Sequence, residues 1–244
     1  MSRTTTILKR ELRAYFATPV AYVFIVIFLI LTGIFTFHLG GLYERNQADL
    51  EPFFRFHPWL YMLLIPAISM RLWSEERKAG TLELLMTLPV SLVEAVIGKY
   101  LAAWCFTAIA LALTFPVWLT INYLGDPDNT VIAAGYLGSL LLAGGCLAIG
   151  SCISALTKNQ VVAFVISFVI CFAFNLSGFP IVLDMFSTWA PQAIVDVISS
   201  FSFLSHFESI LKGVIDIRDI IFFASLIAFF LYANVLAIEA KKGS

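Results

Sequence analysis

The side chains able to do covalent or metal chemistry are few in this 244-residue chain, and they do not gather. His38, His57 and His206 lie far apart and form no His-Glu-x-x-His zinc site. Cys105, Cys146, Cys152 and Cys171 fall inside apolar runs at spacings that match no zinc or redox pattern, so they read as small packing residues. No Gly-x-x-x-x-Gly-Lys-Ser/Thr phosphate loop and no Gly-x-Ser-x-Gly elbow occurs. The chain is therefore expected to carry no catalytic residue, no metal and no bound cofactor of its own. Near their midpoints the apolar runs hold neutral polar groups such as Thr114, Ser167 and Asn175, whereas ion-coupled transporters place ionisable groups at membrane depth. The driving energy is expected from outside the chain.

Docking is the chemistry that remains. Residues 74–91 carry the signals of two short helices between apolar runs. Ser74 is predicted to cap the first, with Glu75 and Glu76 in its first turn and Gly80 ending it. Leu82, Leu85 and Met86 give the second an i, i+3, i+4 apolar face, while Glu83 projects elsewhere. Pro89 stops that helix, and Ser91-x-x-Glu94 is a capping box that opens the next one. Such dense helix punctuation predicts a built docking element. A second polar element lies at the N-terminus, where residues 7–16 set Ile7, Leu8, Leu12, Tyr15 and Phe16 on one helical face and Lys9, Arg10 and Arg13 on the other. This basic amphipathic helix, which also holds Glu11, is suited to lying on the cytoplasmic leaflet.

Composition says what must position these elements. The chain is 60% hydrophobic and 13% charged, against about 45–50% and 25% in soluble domains. It is expected to be an all-α polytopic membrane protein, a single transmembrane domain over 1–244. Six apolar stretches, about 19–40, 57–73, 96–124, 131–156, 160–182 and 219–239, are marked off by charges and prolines, and each is long enough to cross, the second only just. The N-terminal segment is charged for too long to be a removed signal peptide. With six crossings, eleven of the fifteen Lys and Arg fall on the side of the termini, which predicts both termini in the cytoplasm. A net charge of −1 excludes a general nucleic-acid-binding surface.

Outside the crossings, 183–218 is rich in Phe and Ser and predicts short helices dipping into the outer interface, broken by Pro191 and ended near Gly213. In the fourth stretch small residues recur four apart, as Ser139 and Ala143, Gly144 and Ala148, Cys146 and Gly150, Ser151 and Ala155, a pattern that lets helices approach closely. In the fifth, Phe164, Phe168 and Phe172 form a stripe at i, i+4, i+8. That stripe reads either as ordinary packing or as an aromatic wall along a dimer seam or conduit. Asn175 reads as an inter-helix hydrogen bond or as a conduit-lining contact.

The run Glu75-Glu-Arg-Lys-Ala-Gly-Thr-Leu-Glu-Leu-Leu-Met-Thr-Leu-Pro-Val-Ser91, between the second and third of six crossings and behind a basic amphipathic N-terminus, resembles the coupling-helix region of type-2 ATP-binding-cassette (ABC) transporter permeases. Lys9-Arg-Glu-Leu-Arg-Ala-Tyr-Phe-Ala-Thr-Pro-Val-Ala-Tyr22 and His206-Phe-Glu-Ser-Ile-Leu-Lys-Gly-Val-Ile-Asp-Ile-Arg-Asp219 resemble more narrowly the gliding-motility-type branch. The resemblance implies a permease of a bacterial inner-membrane exporter, packed against a second permease chain, same or related. It implies two ABC ATPase subunits docked beneath, which bind the ATP and Mg. It makes Glu75, Glu76, Arg77, Gly80, Thr81, Leu82, Glu83, Leu85 and Met86 the coupling residues, Lys9 to Phe16 the interfacial helix, and the helices before the sixth crossing re-entrant. The alternative is a subunit that passes ATP-driven motion to a periplasmic partner without moving a solute; the short external loops offer such a partner little to hold.

Overall fold

The computed structural model describes residues 3–82, 90–188, 190–214 and 216–240, and among these every regular element is helical. The helix at the centre is Asn129–Leu156, whose first turn is capped by Asp128 accepting from the Thr130 and Val131 N–H groups at 2.9 and 3.3 Å. Its small residues are buried along its length, so neighbours come close on several sides. At Gly150 a Cβ would sit 1.9 Å from Ser69 Oγ, so this approach needs a glycine.

In chain order the elements are α1 (Arg3–Ala17), α2 (Pro19–Ile34, extended by a π turn Phe35–Leu39), α3 (Glu51–Phe54), α4 (His57–Ser69), α5 (Arg71–Ala79), α6 (Leu92–Ala112) and α7 (Phe115–Leu124). The central α8 (Asn129–Leu156) follows, then α9 (Gln160–Leu176), α10 (Pro180–Ser187), α11 (Gln192–Ser200), α12 (Phe203–Leu211) and α13 (Ile217–Ala240). Side-chain contacts fix their directions. His57 meets Ser139 and Trp73 meets Ser154, so α4 and α5 run with α8. Trp104 donates to the Leu140 carbonyl at 2.9 Å and Thr114 meets Tyr136 at 3.0 Å, so α6 runs against it. Asn175 reaches back to Pro58, which sets α9 against α4. The long helices therefore alternate in direction along the chain.

Among the described residues, four runs are long and apolar enough to cross a membrane: Pro19–Leu39, Leu92–Leu124, Asn129–Leu156 and Ile217–Ala240. Two further pairs meet the same test only if a bend is allowed, α9 with α10 at 79° and α11 with α12 at 62°. Two expected stretches differ from the sequence reading. The stretch 160–182 stops as a straight helix at Leu176, because Phe179 is extended before Pro180, as the ring of a proline requires of its predecessor. The stretch 57–73 divides at Met70 into the 13-residue α4 and the polar α5. In 183–218, α11 opens directly after Pro191, and Gly213 turns the chain beyond α12 at φ +79°. There His206 Nδ1 lies 2.6 Å from Asp219, tying α12 to the start of α13.

Candidate functional site

Around α5 the polar groups of four helices meet. Ser74 was expected to cap this helix from outside, but the helix opens earlier, at Arg71, and Ser74 is a buried interior residue whose hydroxyl donates to the Met70 carbonyl. The cap comes from α8: Ser154 Oγ accepts the Trp73 and Ser74 N–H groups, both at 3.1 Å, and donates to the Met70 carbonyl at 2.8 Å. A helix start leaves its first N–H groups without internal partners, and one hydroxyl here serves two of them. The service is returned. Arg77 donates to the Ala155 carbonyl at 2.8 Å, near the C-terminus of α8, where a cation also favours the helix dipole.

Lys99, on α6, binds the other side of α5. Its ammonium lies 2.8 Å from Glu76 and 3.4 Å from Glu11, with only 5% of the side chain exposed, and 5.2 Å from the centre of the Trp73 ring. One cation thus joins α1, α5 and α6 in a setting where removing it strands the Glu76 carboxylate and leaves Glu11 with Arg10 alone. Gly98 permits the approach of α1, since a Cβ there would sit 2.8 Å from Ile7 Cγ2. Tyr15 stacks on Phe106 at 5.2 Å and Phe16 meets the same ring edge-on at 5.7 Å. The apolar face of α1 thus lies on α6, while Lys9, Arg10 and Arg13 stay exposed and Arg10 pairs with Glu11 at 2.6 Å. Loss of solvent pushes the Tyr15 hydroxyl pKa up, and the Glu11 carboxylate adds to the shift, so the phenol stays neutral.

Gly80 ends α5 in the left-handed conformation at φ +70°, where a side chain would be strained. Thr81 Oγ1 then donates to the Glu76 carbonyl at 3.3 Å, and Leu82 is buried at 9% exposure. Glu83, Leu85 and Met86 lie outside the described residues. The Ser91 and Glu94 capping box is present as read, with Ser91 N–H donating to Glu94 Oε2 at 2.9 Å.

The residues predicted on α9 separate onto two faces. Phe164, Phe168 and Phe172 stack in sequence, with centroids 6.3 and 6.0 Å apart, along a partly exposed side. Asn175 faces inward at 1% exposure and donates to the Pro58 carbonyl at 3.2 Å, bonding α9 to α4 within one chain. Sequence reasoning did not single out Lys99, Trp73, Ser154 or Asn234, and it read Ser151 only as a small packing residue. Asn234 donates to Ser151 Oγ at 2.7 Å, and Trp73 Nε1 donates to the same oxygen at 3.3 Å. Lys99 carried one usable signal, a lysine at the eighth position of a helix whose only other charged residue is the capping Glu94.

A Ser and His pair also exists, unforeseen from sequence. His57 Nδ1 and Tyr61 Oη each lie 2.7 Å from Ser139 Oγ. His57 and Ser139 show no exposure and Tyr61 1%, so no substrate reaches the hydroxyl, and the trio serves packing. The described residues of the α5 cluster tie four helices together through hydrogen bonds and ion pairs. A profile described as ABC-2 family transporter protein matches residues 59–239. No curated protein gives a significant match.

Proposed function

The chain belongs to the ABC-2 family of transporter proteins and is a multi-pass membrane subunit of an ABC transporter, and from that premise we propose that 74–88 is its coupling segment. The family implies an ABC ATPase as partner and the lipid bilayer as surroundings. In the proposed complex two ATPase subunits dock beneath two permease chains, both termini lie in the cytoplasm of a bacterium, and ATP hydrolysis drives export across the inner membrane. Eleven of fifteen basic residues on one side support the orientation. The coupling role rests on one observation above all, the reciprocal bonds by which Ser154 caps α5 and Arg77 caps α8. Through them, and through Lys99, a push on the residues after Gly80 reaches α8, α6 and α1 together.

Leu85 and Met86 supply the apolar anchor for the ATPase, Leu82 being packed within the chain itself, and Glu75, Glu76, Arg77 and Glu83 its rim. Side chains of Leu size contribute roughly 1.5–3 kcal/mol each when buried, whereas exposed ion pairs give about 0–1 kcal/mol. The test is co-purification of the partner ATPase with the full chain. Leu85→Asp is expected to lose the ATPase and its stimulated turnover while the chain still inserts, and Glu83→Lys to have the smaller effect. Wild-type yield and turnover with Leu85→Asp would remove the docking assignment.

A further inference from the structure

An open groove of about 540 Å³ runs between α2 on one wall and α4 and α5 on the other, with α1 and α6 at its closed end. That volume lies within the roughly 300–1,000 Å³ of small-molecule sites, and the design is theirs too, apolar walls with a few polar groups at one place. Val23, Phe24 and Ile27 of α2 face Leu64 and Ile68 of α4 along the walls. Every charged residue of the lining, Glu11, Arg71, Glu75, Glu76 and Lys99, belongs to the end where α1 and α5 meet. The groove is therefore amphipathic along its length, like a lipid.

The charges at that end are not equivalent. Lys99 is shared between Glu76 Oε1 at 2.8 Å and Glu11 at 3.4 Å, and Glu11 also pairs with Arg10 at 2.6 Å. Arg71 and Glu75, one turn apart on α5, are both exposed and form no ion pair among the described residues. Glu76 keeps its second oxygen, Oε2, buried and without a hydrogen-bond partner among them, an acceptor that lacks a donor. A guanidinium free to take a phosphate thus lies beside two carboxylates with acceptor capacity for an ammonium.

We propose that this groove binds a bilayer phospholipid whose head carries both a phosphate and a primary amine, as phosphatidylethanolamine does. The phosphate pairs with Arg71, the ammonium donates to Glu75 and to the free Glu76 oxygen, and an acyl chain lies between α2 and α4. Residues three and four apart on a helix are neighbours, a span that the two-carbon bridge of an ethanolamine head can match. A quaternary amine has no N–H for the Glu76 oxygen, and a glycerol head has no cation for Glu75. The site shares Glu75 and Glu76 with the proposed coupling segment, and its test reads lipid retention by the chain alone, without the ATPase.

Native mass spectrometry of the full chain in detergent, titrated with phosphatidylethanolamine, phosphatidylcholine and phosphatidylglycerol of identical acyl chains, tests the proposal. One phosphatidylethanolamine is expected to be retained per chain, about threefold to fivefold over the other two, the range exposed charge pairs support. Arg71→Gln and Glu75→Gln, both at exposed positions that tolerate the change, should each erase most of that preference. Val23→Trp should fill the groove and remove the retained lipid of all three kinds. Equal retention of the three lipids, an unchanged preference in both Gln variants, or an undiminished adduct in Val23→Trp overturns it. So does a lipid-free dimer, which would mean that a second copy fills the groove.

Discussion

Where α5 meets α1, α6 and the last turn of α8, the helices are tied by a buried ammonium, two carboxylates, an arginine on a carbonyl and one serine shared between two amides. At the opposite end of α4 the ties are neutral. His57 packs edge-on against Phe53 at 4.6 Å and lies 5.2 Å from Tyr61, and its only hydrogen bond among the described residues is to Ser139. Charged ties are few, directional and costly to break singly, because each loss leaves an uncompensated partner behind. Aromatic contacts are many and small, and they tolerate sliding. The first end is built to move as one piece and the second to adjust.

The sharpest way to break that contrast is at Lys99. Lys99→Ala should destabilise the chain by about 3 kcal/mol, since it strands Glu76 in a poorly hydrated place and leaves Glu11 with Arg10 alone. Unfolding in a denaturing detergent titration measures this, and hydrogen exchange should rise first in α5. Next comes Ser154→Ala, expected to cost about 1–2 kcal/mol, because the Trp73 and Ser74 amides and the Met70 carbonyl lose a common partner. At the neutral end His57→Phe should cost about 1 kcal/mol or less. The replacement keeps an aromatic ring beside Phe53, Phe54 and Tyr61, removes a buried Nε2 that has no partner among the described residues, and leaves Ser139 bonded to Tyr61. Should His57→Phe prove as damaging as Lys99→Ala, the two ends are held alike and the contrast fails.

Features set by neighbours in sequence were legible. Gly80 closes α5, Ser91 and Glu94 form their box, and the buried small residues of α8 stand at the spacing that shows in the bare sequence. Features set by partners far along the chain were not. Ser74 has the right type for a local cap, yet the hydroxyl that does the capping belongs to Ser154, eighty residues on. The bend after Leu176 was missed because the apolar composition continues through Pro180 to Val182, and composition alone does not register a change of direction. The role of Lys99 was not legible either, since burial beside Glu76 and Glu11 leaves no periodic mark.

The dependence of α4 and α5 on α8 has a consequence in time. His57, Tyr61, the Trp73 indole and the amides at the start of α5 all take their partners from Ser139, Ser151 and Ser154. At a ribosomal pace of about 5–20 residues per second, those serines emerge several seconds after the groups they satisfy. An unsatisfied polar group in an apolar setting costs several kcal/mol. During that interval the nascent α4 has no settled seat and keeps its polar face toward water or toward whatever else offers a hydrogen bond. Translation of α8 is the moment at which the first half of the bundle can close.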